Sequence, residues 1–166
     1  MCYNAKSILT KKLKTAIRYG NDDAKIDALI EKLKKLDKNH SSHYANAFSK
    51  PKLLTQTNEP ASEAQLIQWG LIPHWCKDVE QADKISSMTI NARSETIFDK
   101  PSFRDSARSK RCLIALDGYY EYMHLNKRKY PFFVQLKSSP MVVAGLWSEW
   151  VNKETGEIKK TSTMVT

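Results

Sequence analysis

The stretch Arg111-Cys112-Leu113-Ile114-Ala115-Leu116-Asp117-Gly118-Tyr119-Tyr120-Glu121-Tyr122 decides the fold class. It is apolar, rich in branched and aromatic side chains, and divided by Asp117-Gly118, which reads as two strands, 111–115 and 118–122. Working outward, 66–71, 130–136, 141–146 and 161–165 have the same texture, and Pro, Gly, Ser and Asn punctuate the intervals. Segments 123–129 and 137–140 read as hairpin turns, the first carrying Lys127-Arg128-Lys129. Residues 94–110, with Phe98, Phe103 and Ala107 among polar neighbours, suit one irregular helix. The N-terminal part differs. Ile26, Leu29, Ile30, Leu33 and Leu36 recur at helical spacing with lysines between them, preceded by a shorter pattern from Ile8 to Ile17 and separated from it by Gly20. The expected fold is therefore α+β, a single domain over 1–166 of mainly antiparallel, barrel-like strands with flanking helices, and a basic helical insertion at 7–40.

Length and composition agree with one core. The chain has 166 residues, 41% of them hydrophobic, and a net charge of +9. No run approaches the ~20 apolar residues of a membrane span, and three scattered cysteines build no disulfide framework. With no secretory signal at its start, the chain is expected in the cytoplasm. The positive charge suggests a polyanionic partner, although the lysines of the insertion read first as a solvated helix face.

Cys2 is the first chemical candidate. Removal of Met1 would leave an α-amine and a thiol on one residue, two nucleophiles that can act on a single aldehyde carbon. Position alone also suits an ordinary terminal cysteine. Glu121, inside Tyr119-Tyr120-Glu121-Tyr122, either faces water on an edge or sits in a partly apolar pocket, where its pKa would rise and equip it to shuttle protons. Trp69 reads as core, whereas Trp75, close to Pro73 in a loop, is a stacking platform or wedge, and Tyr120 offers a second aromatic face. Arg104 and Arg108, with Lys110 and Arg111, form a possible phosphate track. No metal site is expected: His40 and His43, and His74 with Cys76, lack a second pair at zinc-binding spacing. Gly-rich phosphate loops, Gly-x-Ser-x-Gly and His-Glu-x-x-His are absent from the sequence, and no cofactor is implied.

Met1-Cys2, Trp69-Gly70-Leu71-Ile72-Pro73-His74-Trp75, Asn91-Ala92-Arg93-Ser94-Glu95-Thr96 and the stretch 111–122 stand in order and are followed by Pro131-Phe132-Phe133-Val134 and Ala144-Gly145-Leu146-Trp147. Together they resemble the SOS response-associated peptidase family, abasic-site crosslinking proteins of the DNA damage response. The resemblance implies that Cys2, freed of Met1, traps the aldehyde of an abasic site in single-stranded DNA as a thiazolidine crosslink. It also implies autocatalytic peptidase and abasic-site lyase activities. Asn91 matches the family's active-site asparagine, and its amide would hold the opened sugar or the cysteine amine. Arg93, two residues on, would share its face and clamp a phosphate; taken singly, the two also suit a strand-end Asn and a surface ion pair.

Two departures stand out. Cys2-Tyr3-Asn4 replaces the family's Cys-Gly-Arg, which leaves Lys6 as the nearest cation, and the segment carrying the family's catalytic histidine has no counterpart. His124, placed in a turn, does not take that role. The expectation is a domain shortened at its C-terminal end, with an exposed apolar edge at 161–166 and lowered stability. The partner expected is abasic single-stranded DNA bound by a monomer, without membrane or metal. The alternatives are a non-covalent single-strand binding module, whose affinity would fall with salt regardless of lesions, and a cysteine peptidase acting on other proteins.

Overall fold

A computed structural model describes residues 4–7, 45–60, 63–137 and 141–166. Cys2 and nearly all of the insertion read at 7–40 lie outside the described residues. Strands run β1 (Asn4–Ser7), β2 (Ala45–Asn46), β3 (Lys52–Thr57), β4 (Gln65–Trp69), β5 (Asn91–Ala92), β6 (Arg111–Leu125), β7 (Arg128–Val134), β8 (Met141–Val151) and β9 (Ile158–Val165). Two α-helices are described, α1 (Val79–Met88) and α2 (Arg104–Ser109).

Five strands close on themselves. β6 pairs with β3, β3 with β4, β4 with β9, β9 with β8, and β8 returns to β6, so the sheet has no free edge around this ring. Leu53, Trp69, Cys112, Ile114, Leu116, Trp147 and Met164 fill the interior. The Trp69 indole N–H donates to the Ile90 carbonyl at 2.9 Å, which makes it the core residue its apolar surroundings suggest. A second layer lies outside the ring. Phe103 and Ala107 bring α2 onto Leu146, Leu71 and Ala92, while Ala82 and Ile85 bring α1 onto Trp150, Ile72 and Cys76.

Several expectations change. The strands at 111–115 and 118–122 are one strand, β6, which continues through His124 to Leu125. His124, Arg128 and Lys129 therefore belong to strands, and the turn narrows to Asn126-Lys127, both with positive φ (49° and 61°). A two-residue turn of that left-handed kind matches the twist of the paired strands; without the usual Gly in second place it is hard to read from sequence. The helix expected across 94–110 is a 3-10 turn at Ser94–Thr96 followed by α2 only.

The exposed edge expected at 161–166 is not formed. β9 is flanked by β8 on one side and by β4 and β5 on the other, and Thr161 through Met164 are buried. Its parallel partners are far away in sequence, which is why an apolar strand there looked unprotected.

α1 has no counterpart in the sequence reading, yet it carries a local signal. Asp78 caps it by accepting from the Gln81 N–H at 2.7 Å, and the Gln81 side chain reaches back to the Lys77 N–H at 2.8 Å. Asp-x-x-Gln at the start of a helix is the capping-box pattern, here with Gln81 accepting from the N–H one residue before the cap.

Candidate functional site

The site begins with an irregularity in β6. Against β1, Lys6 stands opposite Gly118 but Ser7 stands opposite Leu116, so Asp117 is an extra residue, a β-bulge. Upstream, Cys112, Ile114 and Leu116 alternate into the barrel. Strict alternation would continue with Gly118 and Tyr120. The bulge shifts the phase by one, so Tyr119 and Glu121 follow Leu116 on the interior side instead. Gly118 is required here for space, since a Cβ would stand 2.3 Å from the Val134 carbonyl oxygen of β7.

Leu116, Tyr119 and Glu121 thus line an open pocket of about 300 Å³, completed by Val143 of β8 and by Met164, Val165 and Thr166 at the end of β9. Glu121 stands at its rim as an exposed residue, so of the two settings the sequence left open, water on an edge and a partly apolar pocket, the structure combines a solvated carboxyl group with apolar walls beside it. Its Oε1 accepts from the Tyr122 N–H at 3.3 Å.

β5 borders the same mouth. Asn91 stands opposite Met164 and Ala92 opposite Val165 in parallel register. Beyond the strand, the Thr166 N–H donates to the Ala92 carbonyl and the Ser94 N–H to the Thr166 carbonyl, both at 2.9 Å. Ala92 is fully buried towards Phe103 and Ala107, so alternation turns Asn91 and Arg93 to the opposite side. Arg93 is exposed and Asn91 partly buried. The structure therefore brings Glu121, Asn91 and Arg93 to one end of the barrel.

The other expected contacts are more dispersed. Tyr120 faces away from the pocket, its ring 5.0 Å from that of Phe133 and tilted by 49°. Trp75 is 39% exposed and donates its indole N–H to the Pro101 carbonyl at 3.3 Å, which ties its loop to the approach to α2. Arg104 and Arg108 project from the outer strip of α2 while Ser106 and Ala107 are buried. Asp105 beside them forms an ion pair with Arg104, whose Nε is 3.8 Å away, and lies 3.9 Å from His74 Nδ1.

Pocket residues that sequence reasoning missed are Val143, Met164, Val165 and Thr166. Nothing local marks them: Val143 comes from β8 through its pairing with β6, and the other three stand at the end of β9, which the parallel pairing with β5 places at the mouth. Cys76 and Cys112 are both buried free thiols. Burial pushes the Cys112 thiol up to about 12; burial, and then the Asp78 charge, push that of Cys76 up as well. Neither supplies thiolate near neutral pH. Among the described residues, no three His, Cys, Asp or Glu come together as metal ligands, and no helix is long and apolar enough to cross a membrane.

The fold and site define a small mixed barrel whose pocket carries one carboxylate at its rim. The sequence model of the SOS response associated peptidase (SRAP) family matches residues 8–166, and the chain belongs to that family. It is 45% identical over 102 residues to the abasic site processing protein YoqW of Bacillus subtilis (strain 168), covering 60% of this chain and 43% of the relative. It is 30% identical over 133 residues to the abasic site processing protein HMCES of Gallus gallus, covering 67% and 39%. A crystal structure of a protein from Bacteroides thetaiotaomicron superimposes with a TM-score of 0.80 at 33% identity, covering 99% of this chain and 67% of that one. The chain spans about two fifths of the length of these two curated relatives.

Proposed function

We propose that this chain traps abasic sites in single-stranded DNA through Cys2. The observation that carries the reading is the barrel mouth, where the bulge turns Glu121 into a pocket bordered by the strand of Asn91 and Arg93. Membership of a family whose relatives are named abasic site processing proteins supports it.

Chemistry starts once Met1 is hydrolysed from the chain. The freed amine of Cys2 adds to the aldehyde carbon of the ring-opened sugar, and the carbinolamine loses water to give an imine. Thiolate attack on the imine carbon closes a five-membered thiazolidine as the nitrogen takes up a proton, so one water is released overall. Glu121 supplies the proton that carries off the hydroxyl and is recharged afterwards, a role worth ~10²–10⁴-fold in rate. Asn91 holds the opened sugar by its amide, and Arg93 pairs with a neighbouring phosphate. Trp75, Arg104 and Arg108 guide the rest of the strand. In this reading the protein acts as a monomer on cytoplasmic, nucleoid-associated DNA, with autopeptidase and lyase activities at the same mouth.

The test combines intact mass with denaturing electrophoresis. Loss of Met1, followed by a covalent adduct with abasic single-stranded DNA that Cys2→Ala abolishes, is the expected result. No adduct, or one that survives Cys2→Ala, overturns the reading. Equal, purely salt-sensitive binding of intact and abasic strands would instead identify a non-covalent binding module.

A further inference from the structure

Beyond the barrel, β6 and β7 continue as a two-stranded ribbon whose β7 residues are all exposed. Side chains directly opposite in an antiparallel pair share a face. The register pairs Tyr119 with Val134, Glu121 with Phe132, Met123 with Tyr130 and Leu125 with Arg128, so these eight form the pocket-side face. The reverse face holds Tyr120 against Phe133, Tyr122 against Pro131 and His124 against Lys129.

The pocket-side face is unusual for a surface. Phe132 is 50% exposed and Tyr130 39%; Phe132 stands directly opposite Glu121, and Tyr130 lies two residues further along β7 towards the basic tip. Between residues 119 and 137 the sequence has four cations, Lys127, Arg128, Lys129 and Lys137, and one acid, Glu121, which is the residue at the pocket. Exposed aromatics leading to clustered cations are what a single strand of nucleic acid requires: rings for unpaired bases and charge for phosphates. An apolar protein partner would not need the cationic tip.

We infer that the pocket-side face of the β6–β7 ribbon is the platform for single-stranded DNA flanking the lesion. One base stacks on Phe132, the next on Tyr130, and a phosphate pairs with Arg128. The inference rests on the abasic-site reading for what occupies the pocket, but not for the binding of the flanking strand. It adds a surface separate from Trp75 and α2, so that a strand crossing the mouth is held on both sides of the trapped sugar.

Fluorescence anisotropy with an intact, labelled oligothymidylate isolates this contact from covalent chemistry. Phe132→Ala and Tyr130→Ala are each expected to weaken binding about tenfold, while Arg128→Ala lowers the salt dependence by roughly one phosphate contact. Ile158→Ala, which alters an exposed apolar residue at the far end of the barrel, leaves binding unchanged. Phe132→Leu separates stacking from plain apolar contact, and Phe132→Trp guards against a folding artefact, since it keeps the ring and binds as the parent does. Full affinity in Phe132→Leu, affinities of the Ala variants within twofold of the parent, or no measurable binding by the parent would each overturn the inference. An unmodified protein that crosslinks abasic DNA while its ribbon variants bind intact DNA normally would refute the platform and leave the trap standing. Weakened variants of a protein that forms no crosslink would do the reverse.

Discussion

The two ends of the barrel use opposite means. At one end Trp147 is closed in by cations, with Lys110 Nζ 4.8 Å and Lys160 Nζ 5.0 Å from its ring centroid, and its indole N–H donates to Asn58 Oδ1 at 3.0 Å. Glu59 and Glu149 balance those lysines, Lys160 lying 2.7 Å from Glu59 and 3.6 Å from Glu149. At the other end one carboxylate stands at the rim of an open pocket with apolar walls. Charge matched by charge plugs a barrel; charge set against apolar wall and water leaves room for a ligand. The same strands serve both ends, so the difference lies in which residues occupy their first and last positions.

The contrast is broken most severely at the closed end. Trp147→Ala removes a buried ring that also receives both cations, and it is expected to lower stability by about 3–5 kcal/mol, read by urea or thermal denaturation. At the open end the expectation is reversed. Glu121→Gln slows crosslink formation by ~10²-fold or more in single-turnover electrophoresis, while stability moves by no more than about 0.5 kcal/mol because the residue is exposed. A large loss of stability in Glu121→Gln would place that carboxylate in the scaffold instead.

A smaller effect comes from the barrel interior. The Cys112 thiol is held up to about 12 when folded, so the folded state keeps a proton that the unfolded chain gives up in the ordinary thiol range near 9. Stability is intact below that range and falls as pH rises towards 12, by about 1.4 kcal/mol per unit. pH-dependent denaturation should show this slope and Cys112→Val should remove it. Smallest is Glu59→Gln. Lys160 hydrogen-bonded to Glu59, more than any other influence, holds that carboxyl below its usual value, so its contribution is present at neutral pH and lost on acidification below the carboxylate range. The partly exposed pair is worth under about 1 kcal/mol, so a melting-temperature change of a few degrees at most is expected at pH 7, vanishing on acidification.

How far the sequence carried the site depended on distance along the chain. Strand content and the core position of Trp69 were legible because they rest on local pattern, and motif order nominated Asn91, Arg93 and Glu121 as chemical candidates. Which of them share a mouth was not legible, since that follows from β5 pairing with β9 across some seventy residues. Tyr120 and Glu121 are neighbours in sequence, and only the bulge decides which one enters the pocket. Asp117-Gly118 looked like a break between strands, whereas one side chain too many within a continuous strand leaves the same composition.

That extra residue makes β6 a counter of odd and even. Removing Asp117 would take out the bulge and its phase shift together and leave Tyr119 and Glu121 facing inward, whereas inserting a single residue between Asp117 and Glu121, with the bulge in place, would exchange the two faces of everything downstream. Glu121 would turn outward and Tyr120 would enter the mouth, while the ribbon's aromatic and basic residues changed sides with them. Aligned relatives of this barrel should therefore vary in the identity of the residue at this step far more freely than in the spacing across it. In a redesign, the quantity to conserve is the number of residues from Leu116 to Glu121 taken together with the bulge.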